Sequence, residues 1–331
     1  MDNKTKDPYI LILGDGLEYM PYVLYDIKDI PNAEFINCYY PFRIDRRINK
    51  YIRHHFQDKN GKIPGKWIWY PYLDKQLRVP KDYPAILVIL DWNVLGQDKR
   101  FLKYIRKKHP NLRLVYLFTN VVRISGAGKA GIVEDLSTMY DIVYTYDMDD
   151  VEHYHFKYTP FFYSLYPVED SVNNGTVFFI GHSKDRLDFL HKINERLKTI
   201  GIQSNFYITY VPDEKMICPD IHYNQIISYR EVLKNVSESM CLLDIIQSNS
   251  SGYTLKVREA VIYNKLLITN NKHLKEAPFY NDRYILVIEK PEDITAGFFK
   301  RAKEVNYPKE AKDLFSVSSF INDMKQALNI Y

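Results

Sequence analysis

A short apolar run that ends on a glycine and leads into a helical stretch occurs twice in this chain. The first is at residues 9–13 (YILIL, then Gly14) and the second at residues 177–180 (VFFI, then Gly181). Such a run reads as a strand buried on both faces, as in a parallel sheet, and the glycine lets the backbone turn sharply into a crossover helix. Each run opens a series. Residues 85–90 (AILVIL), 112–118 (LRLVYLF) and 141–145 (DIVYT) follow the first; 204–209 (SNFYIT), 240–246 (MCLLDII), 266–269 (LLIT) and 284–288 (YILVI) follow the second. Helices are expected between them at 100–108, 186–200, 229–237 and 254–262, with an amphipathic one at 318–328. Gly201 stands where a helix C-cap glycine belongs. Two prolines and Asn173-Asn174-Gly175 interrupt the alternation across 159–176, which marks a domain boundary. Residues 57–82, rich in Gly, Pro, Lys and Trp, read as an excursion.

The expected fold class is therefore α/β, with two Rossmann-type domains whose parallel sheets face a cleft. The boundaries are 1–165 and 170–305, with the helix of 306–331 packing back toward the first domain. The 331 residues are enough for two cores, and a chain 46% hydrophobic and 26% charged is not a disordered one. A net charge of +4 permits phosphate-bearing ligands or an anionic surface without marking a nucleic-acid binder. Cys38, Cys218 and Cys241 are far apart and form no C-x-x-C pair, so neither a zinc site nor a disulfide framework is expected. The polar start and the lack of any run of 18 apolar residues imply a cytoplasmic protein that meets membranes only from the surface.

The most informative stretch is 240–271 (MCLLDIIQSNSSGYTLKVREAVIYNKLLITNN). A strand ends in Asp244. A polar loop with Ser251, Gly252, Tyr253 and Thr254 opens a helix carrying Lys256, Arg258 and Glu259. A glycine loop at a helix start turns free backbone N–H groups toward an anion, and Thr254, Lys256 and Arg258 add a hydroxyl and charge. A carboxylate one turn further in, Glu259, is placed to take the hydroxyls of a ribose. The competing reading is a capped helix with a solvated basic face.

This stretch resembles the donor-binding segment of GT-B-type bacterial glycosyltransferases, especially the CgeB-like and the capsular or lipopolysaccharide biosynthesis transferases. The matching residues are Ser251, Gly252, Thr254, Glu259, Ala260, Lys265, Ile268 and Thr269, within a similarity spanning about 140–290. Retaining members carry a second acidic residue where this chain has Ser251 and Gly252. The resemblance implies an acceptor-side first domain and a second domain that binds a nucleotide-sugar. Its partners would be that donor and a glycan or lipid-linked acceptor. The activity would be sugar transfer in surface polysaccharide assembly, with no cofactor beyond the co-substrate and no metal. A non-catalytic binding protein of the same derivation, or a nucleotide-sugar epimerase of the same shape, stands as the alternative.

Four further motifs bear on this reading. In Gly181-His182-Ser183-Lys184-Asp185-Arg186, Gly181 opens the turn and His182, Lys184 and Arg186 are candidate diphosphate contacts; an ordinary capped turn is the alternative. Asp15, between Gly14 and Gly16, and Asp91, at the end of AILVIL, compete as general base for an acceptor hydroxyl. Gly126-Ala127-Gly128-Lys129-Ala130 lacks the spacing and the hydroxyl residue of a phosphate loop and reads as a mobile loop at the cleft. Residues 43–53 carry five positive charges around a face of Ile44, Ile48, Tyr51 and Ile52, fit for an anionic membrane surface or for a packed helix with solvated charges. Asp147-Met148-Asp149 is a D-x-D triplet, but the two-sheet layout argues against the metal-dependent class that uses one.

Overall fold

The computed structural model describes residues 7–14, 16–37, 51–52, 55–56, 64–80, 83–168, 173–246 and 251–330. The chain forms two compact units: Met1–Phe161 with Val317–Tyr331, and Phe162–Ser316.

The first unit holds strands β1 (Tyr9–Leu13), β2 (Ala33–Ile36), β3 (Ala85–Leu90), β4 (Leu112–Leu117), β5 (Ile142–Thr145) and β6 (Lys157–Tyr158). They make one six-stranded sheet in the order β2-β1-β3-β4-β5-β6, parallel at every pairing. All six residues of β3 are buried, as a central strand covered on both faces requires. Helices α1 (Tyr70–Leu77) and α2 (Lys99–Lys108) cover the sheet with Leu73, Leu77, Phe101, Leu102 and Ile105. Asp98 caps α2 by accepting the N–H groups of Arg100 and Phe101 at 3.0 and 3.1 Å. The excursion expected at 57–82 thus contains a helix: Tyr70, Leu73 and Leu77 recur at helical spacing and are buried, a pattern that the prolines and tryptophans around it mask.

The loop expected at Gly126–Gly131 is also ordered. Gly126–Ala130 is a short helix, α3, capped by Ser125 and closed by Gly131 at φ 68°. Gly128 is pressed so close to the Val122 carbonyl that a Cβ would sit 2.1 Å from it. Helix α4 (Met148–Tyr154) follows β5, and its N-cap is Asp147, which accepts from the N–H of Asp149 at 3.1 Å. Asp150 turns inward to the Val122 N–H at 2.9 Å. The D-x-D triplet is therefore a helix cap.

The second unit holds β7 (Thr176–His182), β8 (Gln203–Thr209), β9 (Ile221–Tyr223), β10 (Cys241–Asp244), β11 (Leu266–Thr269) and β12 (Ile285–Val287), with α5 (Leu187–Thr199), α6 (Tyr229–Glu238) and α7 (Leu255–Ile262). Leu187, Leu190, Ile193 and Leu197 form the buried stripe of α5, and Gly201 follows it at φ 75°. The sheet order is β12-β11-β10-β7-β8-β9, again parallel at every pairing. Counted within the unit this is 3-2-1-4-5-6, the dinucleotide-binding order, and the winding reverses between β7 and β10. Ligands of open parallel sheets bind beyond the carboxyl strand ends at such a reversal. In the first sheet the reversal lies between β1 and β3.

The last helix, α8 (Val317–Ala327), belongs to the first unit. Its Phe320 packs edge-on against Tyr144, the ring centroids 5.4 Å apart. Asp323 accepts from the Tyr144 hydroxyl at 2.6 Å and pairs with Lys157 at 3.0 Å.

Candidate functional site

The β7 exit is organised around Arg186. Its Nε and Nη2 donate to the carbonyl oxygen of His182 at 3.2 and 3.1 Å, and its Nη1 donates to the carbonyl of Ile245, just past β10. The guanidinium lies over the Phe179 ring, 5.3 Å from its centroid. One side chain thus fastens together the two strand exits that flank the reversal. A Cβ at Gly181 would stand 2.9 Å from Arg186 Nη2, so a larger residue there would shift the guanidinium. Lys184 is exposed in the left-handed region at φ 47°. His182 is exposed and shares a hydrogen bond with Thr209 Oγ1 through Nδ1 at 2.8 Å. Partial burial and the neighbouring charges of Lys184 and Arg186 hold its pKa below the ordinary imidazole value.

The β10 exit is organised around Asp244, which is 4% exposed. Its carboxylate accepts from Thr254 Oγ1 at 2.8 Å and from Thr269 Oγ1 at 3.0 Å, tying β10 to the start of α7 and to the end of β11. Burial raises its pKa, while the two hydroxyls and the charges of Arg186 and Lys256 oppose that rise. Thr254 caps α7. Asn271 Nδ2 reaches the carbonyls of Ser251 and Gly252, each at 3.4 Å, and Asn270 Oδ1 accepts the Ile246 N–H at 2.7 Å. Arg258 turns back to the Tyr253 carbonyl at 2.5 Å, and the Tyr253 ring packs edge-on against Phe279 at 5.1 Å.

Glu259 does not look outward. It is 0% exposed, and its carboxylate accepts from Lys256 Nζ at 2.5 Å, Tyr229 Oη at 2.9 Å and Tyr163 Oη at 3.4 Å. A ribose would reach it only by displacing one of these donors. Lys256 is drawn inward by the same carboxylate and stands 5.0 Å from the centre of the Phe178 ring.

Gly181, His182, Lys184 and Arg186 thus lie on one strand exit, and Asp244 with the segment from Ser251 to Lys256 on the other. Among the candidate bases, Asp91 is 0% exposed and accepts from Gly126 N at 2.8 Å, Ala127 N at 3.0 Å and Tyr116 Oη at 2.7 Å. It therefore serves as a cap for α3, and burial raises its pKa against those donors. Asp15 lies outside the described residues, as do all of 43–53 except Tyr51 and Ile52. Asn93, which sequence reasoning passed over, spans the first sheet's reversal by donating from Nδ2 to the Gly14 carbonyl at 2.7 Å. Asn270, Asn271, Tyr163 and Tyr229 were passed over as well. The signal for the asparagines was a Thr-Asn-Asn triplet at the exit of a buried strand; the tyrosines have no local signal. Among the described residues no group of three His, Cys, Asp or Glu side chains is placed to hold a metal, and no helix is long and apolar enough to cross a membrane.

No protein-family model and no curated protein sequence matches this chain. Solved structures do. The apo structure of OtsA aligns at a TM-score of 0.52 and 12% identity over 98% of both chains. A structure of trehalose-6-phosphate synthase, OtsA, gives 0.49 and 14% over 96% of this chain and 99% of that one. TarM gives 0.49 and 13% over 78% of this chain, which spans 57% of TarM's length. The fold is GT-B-like, with two six-stranded parallel α/β sheets.

Proposed function

We propose that the chain is a glycosyltransferase that moves a sugar from a nucleotide-sugar donor held at the carboxyl end of the second sheet. The observation that carries this reading is the joining of the β7 and β10 exits by Arg186 beside the capped start of α7, at the reversal of a sheet with dinucleotide-binding order. The GT-B-like fold supports it. Lys184, the charge of Arg186 and the first N–H groups of α7 would stabilise the departing nucleoside diphosphate electrostatically. Glu259 is assigned to holding Lys256 in place, and Asp15 to deprotonating the acceptor hydroxyl. In this reading the leaving group's charge is met by protein cations without a metal, so EDTA leaves the rate unchanged. The resemblance of 251–269 to polysaccharide transferases supports a glycan or lipid-linked acceptor in surface polysaccharide assembly. Such an acceptor would be met at the inner face of the membrane, with 43–53 as the contact. Neither nucleic acid nor a further cofactor enters this scheme.

Calorimetric titration with UDP-, GDP-, CMP- and dTDP-linked sugars tests the reading. One of them is expected to bind wild type, and Lys184→Ala is expected to weaken it about tenfold, a loss of roughly 1.4 kcal/mol, with the melting temperature unchanged. Wild type that binds none of the four sinks the proposal. A donor that binds but is consumed equally by wild type and Asp15→Asn removes Asp15 as the base.

A further inference from the structure

The exits of β8 and β9 carry large apolar side chains out in solvent. Tyr210, immediately after β8, is 77% exposed, and Ile226, three residues after β9, is 91% exposed. Tyr210 stands at φ 59°, a conformation that L-residues with bulky side chains rarely hold. It is fixed there from several directions. Ser183 Oγ donates to its carbonyl at 2.7 Å, and its ring meets the His182 ring edge-on, with centroids 4.6 Å apart and planes inclined at 73°. On its other side, Asn224 exchanges side-chain hydrogen bonds with Val211, accepting its N–H at 3.0 Å and donating to its carbonyl at 2.8 Å. The backbone that carries the exposed ring is therefore held, and the ring is steeply inclined to a second exposed ring whose Nδ1 is already turned to Thr209.

We propose that Tyr210 and His182 form a corner that takes the planar base of a nucleotide, stacked on the tyrosine with its edge toward the imidazole. The inference rests on the nucleotide-donor reading and names the group that recognises the donor's base. β8 neighbours β7 in the sheet, and adjacent strands lie about 4.8 Å apart. The corner is thus one strand from the Gly181 turn, where Lys184 and Arg186 supply positive charge for the phosphates. In a Rossmann unit the exit of the second strand is the side toward which the nucleoside extends from a pyrophosphate at the first turn. An aromatic platform accepts a base because every base has a π face. Ile226 widens the apolar surface on the neighbouring exit. Partial burial and the charges of Lys184 and Arg186 favour the neutral His182 ring, and with Nδ1 turned to Thr209, Nε2 is the ring nitrogen that would face a base edge.

The test compares a nucleotide with inorganic pyrophosphate, which lacks the base. Binding of UDP, GDP, dTDP, CMP and pyrophosphate is measured by calorimetry for wild type, Tyr210→Ala and Tyr210→Phe. Tyr210→Ala is expected to weaken the preferred nucleotide at least tenfold, Tyr210→Phe to keep it within about threefold, and neither to change pyrophosphate affinity. Wild type that binds a nucleotide which Tyr210→Ala binds equally well overturns the corner and leaves the donor reading standing. Equal losses for pyrophosphate and nucleotide also overturn it, by showing a general disturbance of the phosphate turn. Wild type that binds none of the four nucleotides overturns both readings. Because Tyr210 is largely exposed, its variants are expected to melt with wild type.

Discussion

Thr254 Oγ1 donates to Asp244 Oδ1 at 2.8 Å while it accepts the backbone N–H of Val257 at 3.3 Å. One hydroxyl therefore ends the loop between β10 and α7: it caps the helix and satisfies a buried carboxylate. Thr254→Val keeps the shape and removes both bonds. The expected cost is about 2–4 kcal/mol, from a lost cap of ~1 and an under-satisfied buried acceptor of ~1–3. Urea unfolding of the second unit measures it. Thr254→Ser is expected to stay within ~1 kcal/mol of wild type, and a Val variant as stable as wild type would contradict this account.

The Lys256–Glu259 pair should behave as a buried ion pair. Glu259→Gln leaves Lys256 without its countercharge and is expected to cost about 3–5 kcal/mol. Adding Lys256→Met removes the stranded charge, so the double variant should regain most of that loss. A double-mutant cycle by denaturant titration gives the coupling directly, and additive costs would show that the two side chains act independently.

Asp91 is expected to matter for folding. Asp91→Asn replaces one acceptor oxygen with an NH2 group facing a backbone N–H of α3, at a cost of about 2–4 kcal/mol in the first unit. The measurement is hydrogen exchange at Gly126 and Ala127, whose amides should lose protection. Unchanged protection, with activity abolished, would return Asp91 to the list of bases.

Two histidines set a pH dependence. Partial burial, with Lys184 and Arg186, holds His182 below the ordinary value of 6.5. Burial also lowers His191, against the pull of Asp188 and Glu195. The folded state thus prefers both rings neutral. Their contribution is complete above about pH 6.5, the unfolded value, and is lost as pH falls through their lower folded values. The melting temperature of the second unit should therefore fall between pH 7 and 5, and fall less in His182→Gln/His191→Gln. A drop of equal size in that variant would assign the effect to other groups.

The strands legible in the sequence carry an apolar or aromatic run: β3 and β11 bury every residue, and β8 and β12, only partly buried, still stand out by such a run. β2 (AEFI), β6 (KY) and β9 (IHY) lie at sheet edges or alternate with polar residues, and their apolar runs are too short to stand out. The loops of the site were legible because Gly, Thr and charged residues cluster there. What each side chain does was not. Arg186 is a bridge because Ile245, 59 residues away, offers a carbonyl, and Glu259 is enclosed because Tyr163, 96 residues away, folds over it. Such partnerships arise from strand order, which no local window contains.

The first unit is discontinuous in the chain, and this sets an order of events during synthesis. The face around Tyr144 is completed by Asp323, 179 residues later. At ~5–20 residues per second, roughly 10–35 s pass on the ribosome between the two. The second unit, contiguous from Phe162 to Ser316, emerges whole within that interval. The unit made first is therefore finished last, and its nascent sheet waits, with the surface that α8 will cover still open to chaperones.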